Sequence, residues 1–302
     1  MKRRIMELLR ISDRIKFETC ACIGSFDGFH LGHRAIVEET KNCALWRGMK
    51  TLLITFRKHP RLDENLLFSE DEKMEFLENL GVDFVLLLER EDMEIKAEGF
   101  LRILIENFGV KRLVMGFNHR FGKDREGDPS FIISRMEDFP IEVLVFPPIK
   151  INGITVSSSN IRKLLLDGKV EEVVPLLGRR YSLKGRRVRG RGFGRILGFP
   201  TVNLEVDREK LIPKDGVYAV YLPELDKFGV MHIGERPTFS LGKSLEVHIL
   251  DFDGDVGETL KVEFIRRIRD VKKFESEDEL REAIAKDIKE ASKLRMLELH
   301  KG

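Results

Sequence analysis

The sequence predicts an α/β domain on a parallel sheet, followed by a small antiparallel β-barrel that carries a terminal helix. Three observations lead there. Up to about residue 146, short apolar strands alternate with helices of ten or more residues, the pattern of a parallel sheet covered on both faces. From residue 216 onward, short strands recur at regular spacing with turn signals between them, which points to a small barrel. The chain of 302 residues is long enough for two domains, each with its own core.

In order, strands are expected over 19–23, 51–56, 82–88, 111–116 and 142–146. Helices are expected directly after residue 33 and over 70–80, 98–108 and 130–139. Residues 157–162 open a further helix over 161–166. The composition shifts around Leu177-Gly178, which places a boundary between domains 1–178 and 179–302. Beyond it, strands are expected over 216–221, 229–233, 245–252 and 260–268. A last helix over 278–299 carries Leu280, Ile284, Ile288 and Ala291 on one face.

A net charge of +2 argues against a general polyanion binder, although charge can be local. Cys20, Cys22 and Cys43 are odd in number, and two fall in a strand expected to be buried. They read as reduced packing cysteines of a cytoplasmic protein. The basic N-terminus lacks an apolar segment behind it, so no signal peptide is expected. No run of eighteen apolar residues exists, so no membrane span is expected.

The stretch 24–33, Gly-Ser-Phe-Asp-Gly-Phe-His-Leu-Gly-His, links the first strand to the first helix. Glycines 24, 28 and 32 lack a Cβ and let backbone N–H groups approach a ligand. The helix N-terminus suits phosphate. His30 and His33, three apart, lie on one side of that first turn. There they would donate hydrogen bonds to charge building up on a phosphate chain. The pair also reads as a zinc site or as plain packing. Against zinc, no further Cys or His stands nearby at structural spacing. Gly-x-Gly-x-x-Gly is absent, so this is no dinucleotide fingerprint. Gly242-Lys243-Ser244 has Pro237 where a P-loop needs its first glycine. Arg57-Lys58-His59-Pro60 follows the second strand at the same end of the sheet.

At these ten residues the chain resembles the HxGH nucleotidyltransferases, G-x-F-D-G-x-H-x-G-H. In its Phe-Asp-Gly form it resembles the bacterial bifunctional riboflavin kinase/FAD synthetases. The resemblance implies a Rossmann-like nucleotidyltransferase domain with Gly24, Phe26, Asp27, Gly28 and Gly32 at ATP and His30 and His33 in catalysis. Gly116-Phe-Asn-His-Arg-Phe-Gly122 is by itself a glycine-bounded polar loop. It is similar to the family's G-x-[D/N]-F-x-[F/Y]-G, which implies Asn118 and Phe121 at the flavin, with His119 where an aromatic is usual. Ser157-Ser158-Ser159-Asn160-Ile161-Arg162 matches the second signature, S-S-[S/T]-x-I-R. One serine is explained by helix capping. Three hydroxyls with Arg162 one turn on are built for a triphosphate.

Residues 179–195 hold eight basic side chains and no acidic one. With Gly190, Gly192 and Gly194 interleaved, they also read as an arginine-glycine RNA-binding tail. Such tails are terminal and of low complexity, whereas this stretch runs into Leu197-Gly-Phe-Pro-Thr-Val-Asn-Leu204. Residues 185–203 resemble the riboflavin kinase signature, G-x-V-x-x-G-x-x-x-G-x-x-L-G-[F/Y]-P-T-[A/V]-N. The resemblance places Gly190, Gly192, Gly194, Arg195 and Pro200 at the nucleotide. Thr201 and Asn203 lie on one face of an extended segment and offer neutral oxygens of the kind Mg2+ prefers. Residues 245–252 resemble the family's E-x-H-x-x-D-F. Alternation puts Glu246, His248 and Leu250 on one face and Val247, Ile249 and Asp251 on the other, with Glu246 as candidate base.

Three departures from the family stand out. His232, in His232-Ile-Gly-Glu-Arg-Pro-Thr238, replaces a common Asn. The Asp255-Val256-Gly257 turn is one residue short, and Val271 stands where an acidic residue is frequent. The sequence thus implies an enzyme that phosphorylates riboflavin to FMN and adenylylates FMN to FAD, with small-molecule partners and neither nucleic acid nor membrane. The alternative is a single-activity nucleotidyltransferase whose second domain only binds flavin.

Overall fold

The computed structural model describes residues 6–59, 62–190, 193–235 and 243–299. Of the residues singled out above, Pro60, Gly192, Arg236, Pro237, Thr238 and Gly242 lie outside the described residues. The chain divides into two compact units, Met1–Ser158 and Ser159–Gly302.

The first unit holds β1 (Glu7–Leu9), β2 (Thr19–Ile23), α1 (Leu31–Arg47), β3 (Lys50–Phe56), α2 (Glu70–Glu78) and β4 (Phe84–Leu88). It continues with α3 (Ala97–Glu106), β5 (Val110–Gly116), α4 (Pro129–Ile133), β6 (Glu142–Phe146) and the small hairpin β7 (Lys150–Ile151) and β8 (Ile154–Thr155). The main sheet runs β1-β4-β3-β2-β5-β6, with each pairing parallel. Residue alternation sorts its side chains onto two layers. Ala21, Ile23, Leu52, Ile54 and Leu86 pack with Phe100, Leu101 and Leu104 of α3. Cys20, Cys22, Leu53, Val85 and Leu87 pack with Ile36, Val37 and Ala44 of α1 and Leu77 of α2. The parallel α/β domain expected from the sequence is therefore observed.

Strand order reverses between β2 and β5. From β2 the chain builds outward through β3 and β4, then returns to the other side for β5 and β6. Loops 24–30 and 117–122 leave the carboxyl ends of those two central strands, where doubly wound sheets hold ligands. β1 was not expected; three residues long and at the sheet edge, it leaves no periodic trace. α4 is shorter than the 130–139 reading, beginning at Pro129 behind the Asp128 N-cap and ending at Ile133.

The second unit begins with α5, whose span is Ser158–Leu166, and α6 (Val170–Leu177), followed by β9 (Ser182–Val188), α7 (Phe193–Ile196) and β10 (Val202–Val206). β11 (Gly216–Leu222), β12 (Lys227–Glu235), β13 (Lys243–Ile249), β14 (Thr259–Arg269) and α8 (Glu277–Leu299) complete it. The strands close into an antiparallel barrel in the order β10-β13-β12-β11-β14-β9. α8 covers its outside through Ala291 and Leu294, which pack on Val217, Ala219 and Val230. The alternate residues Tyr218, Val220 and Leu222 are buried on the opposite face.

Two details differ from the sequence reading. β13 ends at Ile249, so Leu250 and Asp251 lie in a turn and carry no strand face. Part of the basic stretch is itself strand β9, where Leu183 and Gly185 turn inward. Its arginines pair with acids: Arg186 with Glu205 at 3.0 Å and Arg187 with Asp255 at 2.7 Å.

Candidate functional site

Loop 24–30 is held in a conformation that an ordinary loop would not adopt. Phe26 and Phe29 have φ of 47° and 41°, a region costly for aromatic residues, and both rings are buried. Gly28 has φ of 73°, and a Cβ there would stand 2.7 Å from the Leu67 side chain. Glycine is therefore required twice over at that position. The backbone is fastened at several points. Gly24 N–H donates to Ile54 O at 3.1 Å. Leu67 N–H and Phe68 N–H donate to the Asp27 carboxylate at 2.9 and 3.0 Å. Ser158 Oγ donates to the Asp27 carbonyl at 2.9 Å. The Asp27 carboxylate thus braces the loop against the segment that leads into α2.

His30 is the N-cap of α1, one residue before the helix, and its Nδ1 accepts the His33 N–H at 3.3 Å. A ring accepting at Nδ1 carries its proton on Nε2 and is neutral. The two imidazoles stack with centroids 3.6 Å apart and an interplanar angle of 17°. Phe26 meets His33 edge-on at 5.1 Å. Burial holds His33 well below the usual histidine range, and the charges of His30, Lys73 and His119 push the same way. Its Nδ1 is buried without a hydrogen-bond partner. The pair therefore offers neutral N–H donors at a helix N-terminus, where N–H groups already point outward.

Asn118 and Phe121 part company. Asn118 is exposed in the loop after β5. Phe121 is buried in the core cluster, 5.9 Å from Phe100 and 6.3 Å from Phe131, and its backbone exchanges two 3.0 Å hydrogen bonds with Gly127. The ring expected at the flavin packs against the core and helps to anchor the loop. Phe117, 49% exposed, is the aromatic that this loop leaves open. Ser157 and Ser158 are half-buried where α5 begins, Ser159 is exposed on its first turn, and Arg162 is half-buried one turn on.

Sequence reasoning passed over Lys73. This α2 residue is buried, and its Nζ donates to Ser25 O at 2.8 Å and Phe56 O at 2.6 Å. Its signal in the sequence is faint: a lone lysine within an acidic amphipathic helix reads as a solvated position.

In the barrel, β10 brings Thr201 and Asn203 against β13. Asn203 stands directly opposite Glu246, and Thr201 Oγ1 donates to the Glu246 carboxylate at 3.4 Å. Ser244 Oγ donates to the same carboxylate at 3.0 Å. On the other side Glu246 faces His232 of β12, whose pKa is lowered by burial against the raising influence of Glu246. A Cβ at Gly190 would run into the Asn203 side-chain amide, so glycine lets the backbone at residue 190 approach Asn203 closely. His248 Nδ1 donates to Pro200 O at 2.8 Å, tying β13 to the other end of the glycine loop. Gly194 and the exposed Arg195 lie in α7.

These arrangements lie on two unrelated folds: a histidine-bearing loop on a parallel sheet, and a carboxylate flanked by Thr201, Asn203 and Gly190 on a closed barrel. The comparisons agree with that division. Residues 13–160 match the FAD synthetase family and residues 177–295 the riboflavin kinase family. The chain is 33% identical over 279 residues to the bifunctional riboflavin kinase/FMN adenylyltransferase of Listeria monocytogenes, covering 88% of each chain. It is 34% identical over 283 residues to the Escherichia coli K12 protein described in the same words, covering 88% of this chain and 89% of that one. It belongs to the bifunctional riboflavin kinase/FMN adenylyltransferase family. Among solved structures, a Streptococcus pneumoniae protein described as a macrolide-efflux protein shares the fold, with a TM-score of 0.83 and 28% identity over 94% of this chain and 98% of that one. Among the described residues, no helix is long and apolar enough to cross a membrane.

Proposed function

We propose that the chain phosphorylates riboflavin to FMN in its barrel and adenylylates FMN to FAD in its α/β domain, using ATP in both steps. The observation that supports this reading is the stacked His30–His33 pair in the α/β domain together with the Thr201–Glu246–Asn203 group in the barrel. The functional boundary falls at Gly178, between domains 1–178 and 179–302, supported by the riboflavin kinase match beginning at residue 177.

In the kinase step, the 5′-hydroxyl oxygen of riboflavin attacks the γ-phosphorus of ATP, Glu246 takes the hydroxyl proton, and ADP leaves. Base assistance of this kind contributes ~10²–10⁴-fold. Gly190, Gly192, Gly194, Arg195 and Pro200 belong to the loop that receives the nucleotide. The neutral oxygens of Thr201 and Asn203 form a hard donor pair that fits Mg2+; when bound, the ion would neutralise phosphate charge.

In the second step, a phosphate oxygen of FMN attacks the α-phosphorus of ATP and pyrophosphate leaves. His30 and His33 donate hydrogen bonds to the migrating negative charge. Ser157, Ser158, Ser159 and Arg162 hold the triphosphate, and Gly24, Phe26, Asp27, Gly28 and Gly32 shape the loop around it. Asn118 orients the flavin, with Phe121 fixing the loop that carries it. A single-activity enzyme with a flavin-binding barrel is the weaker reading, because a binding module needs neither a base nor metal-binding oxygens.

The three cysteines are free and buried, which supports a cytoplasmic location. The partners are small molecules. The pairing of Arg186 and Arg187 with acids speaks against a nucleic-acid surface on β9. Incubation with riboflavin, ATP and Mg2+, followed by chromatographic separation of the flavins, tests the proposal. FMN and FAD are expected; FMN alone removes the second activity, and neither product overturns the reading.

A further inference from the structure

We propose that Lys73 is a positioning residue of the adenylyl-transfer site, its buried ammonium fixing the strained loop 24–30 to the end of β3. This rests on the assignment of that loop to adenylyl transfer. Three elements meet at one nitrogen. From α2, Nζ reaches the carbonyl of Ser25 in the loop and the carbonyl of Phe56, the last residue of β3. Thr55 Oγ1 is a second donor to the Ser25 carbonyl, at 3.2 Å. Asp27, two residues on, returns the connection by accepting the Leu67 and Phe68 N–H groups just before α2. α2 and the loop are therefore joined twice, once in each direction.

That double connection matters because of what it spans. Phe26 and Phe29 both hold left-handed backbone angles, and such residues persist only where their surroundings over-determine them. Hydrogen bonds from a charged donor are roughly twice as strong as neutral ones, so the ammonium is the strongest single tie on the Ser25 carbonyl. Loop 24–30 ends at His30, whose ring stacks on His33. A shift at Ser25 is thus carried to the two groups that face the phosphates.

Among the described residues, the charged and titratable groups around Lys73 are few. Asp27 faces it from the loop and Glu70 from α2, with Glu70 also paired to Arg57 at 3.4 Å. His33 faces it from α1, where the lysine charge helps keep the imidazole neutral. Burial pulls the Lys73 ammonium down to about 8, against the raising influence of Asp27 and Glu70. The clamp therefore loses its charge within the range over which an enzyme is assayed.

The test uses the full chain, whose two activities control for each other. Turnover of FMN to FAD is measured from pH 6.5 to 9.5 alongside turnover of riboflavin to FMN. The wild-type protein is expected to lose adenylyl transfer on a basic limb near pH 8 that the kinase activity lacks. Lys73→Met is expected to lower kcat for FMN adenylylation roughly 10²-fold, the cost of a misplaced site, with little change in KM for ATP and an unaltered kinase. Its residual activity should lack the limb. Lys73→Arg keeps a cation that does not titrate in this range, so it too should lose the limb, and it decides the matter if the methionine variant does not fold. Wild-type adenylyl transfer without a limb near pH 8, a limb retained in either folded variant, or normal adenylylation by Lys73→Met would each overturn the inference. If the wild-type protein makes no FAD at all, the reading of the site itself fails.

Discussion

Asn203 and Glu246 stand directly opposite each other on β10 and β13, and the Thr201 hydroxyl reaches the same carboxylate at 3.4 Å. A carboxylate so placed has the oxygens of one strand beside it, with Gly190 packed close on its partner Asn203. In the proposed kinase step this carboxylate takes a proton from an alcohol while the neutral oxygens serve a cation. Glu246→Gln preserves the shape and keeps one oxygen to accept from a neighbouring hydroxyl while deleting the basic oxygen. Riboflavin phosphorylation is expected to fall ~10²–10⁴-fold, with adenylylation of supplied FMN unchanged. Steady-state rates with each flavin check it.

Gly28 offers a test of the loop by sterics alone. Alanine there would carry φ of 73° and a Cβ 2.7 Å from Leu67. Strain of this kind costs about 1–3 kcal/mol. Gly28→Ala is expected to lower the melting temperature of the first unit and to weaken adenylyl transfer, while kinase turnover is retained. Equal loss of both activities in a folded protein would count against the division of labour.

His33 gives a pH dependence with a definite sign. Its folded pKa lies well below 6.5 because burial disfavours the imidazolium. The unfolded chain therefore binds more protons than the native one once the pH drops below about 6.5. Stability is lost progressively on acidification through that window and is fully present above it. In His33→Ala this component disappears, so its melting temperature should depend less steeply on pH between 6.5 and 5 than that of the wild-type protein. Parallel curves in the two proteins would show that His33 is not buried neutral.

Much of this architecture was legible because it repeats. Strands β2 to β6 announce themselves as apolar runs, and the loop of His30 and His33 as a dense set of specified residues between strand and helix. What stayed hidden depends on contacts between distant residues. β9 was masked because Lys184, Arg186 and Arg187 occupy its exposed positions, so its charges read as a solvated run until their partners Glu205 and Asp255 are seen. The packing of the Phe121 ring on Phe100 was not legible either, because it joins the loop to α3. Lys73 was invisible because only the fold brings α2 beneath Ser25 and Phe56. Asp27 was found as a residue of the loop, but its carboxylate turned out to hold backbone.

The measurement that bears most directly on a chain with two independent sites is the flavin content formed from riboflavin and MgATP by His33→Ala, by Glu246→Gln and by the two mixed. Loss of one hydrogen-bond donor to migrating charge costs ~10²–10³-fold, so His33→Ala should stop at FMN. Glu246→Gln should leave riboflavin untouched yet convert supplied FMN to FAD. The mixture should make FAD from riboflavin, because FMN released by one protein reaches the other. A His33→Ala protein that is folded by circular dichroism but no longer phosphorylates riboflavin would contradict the account.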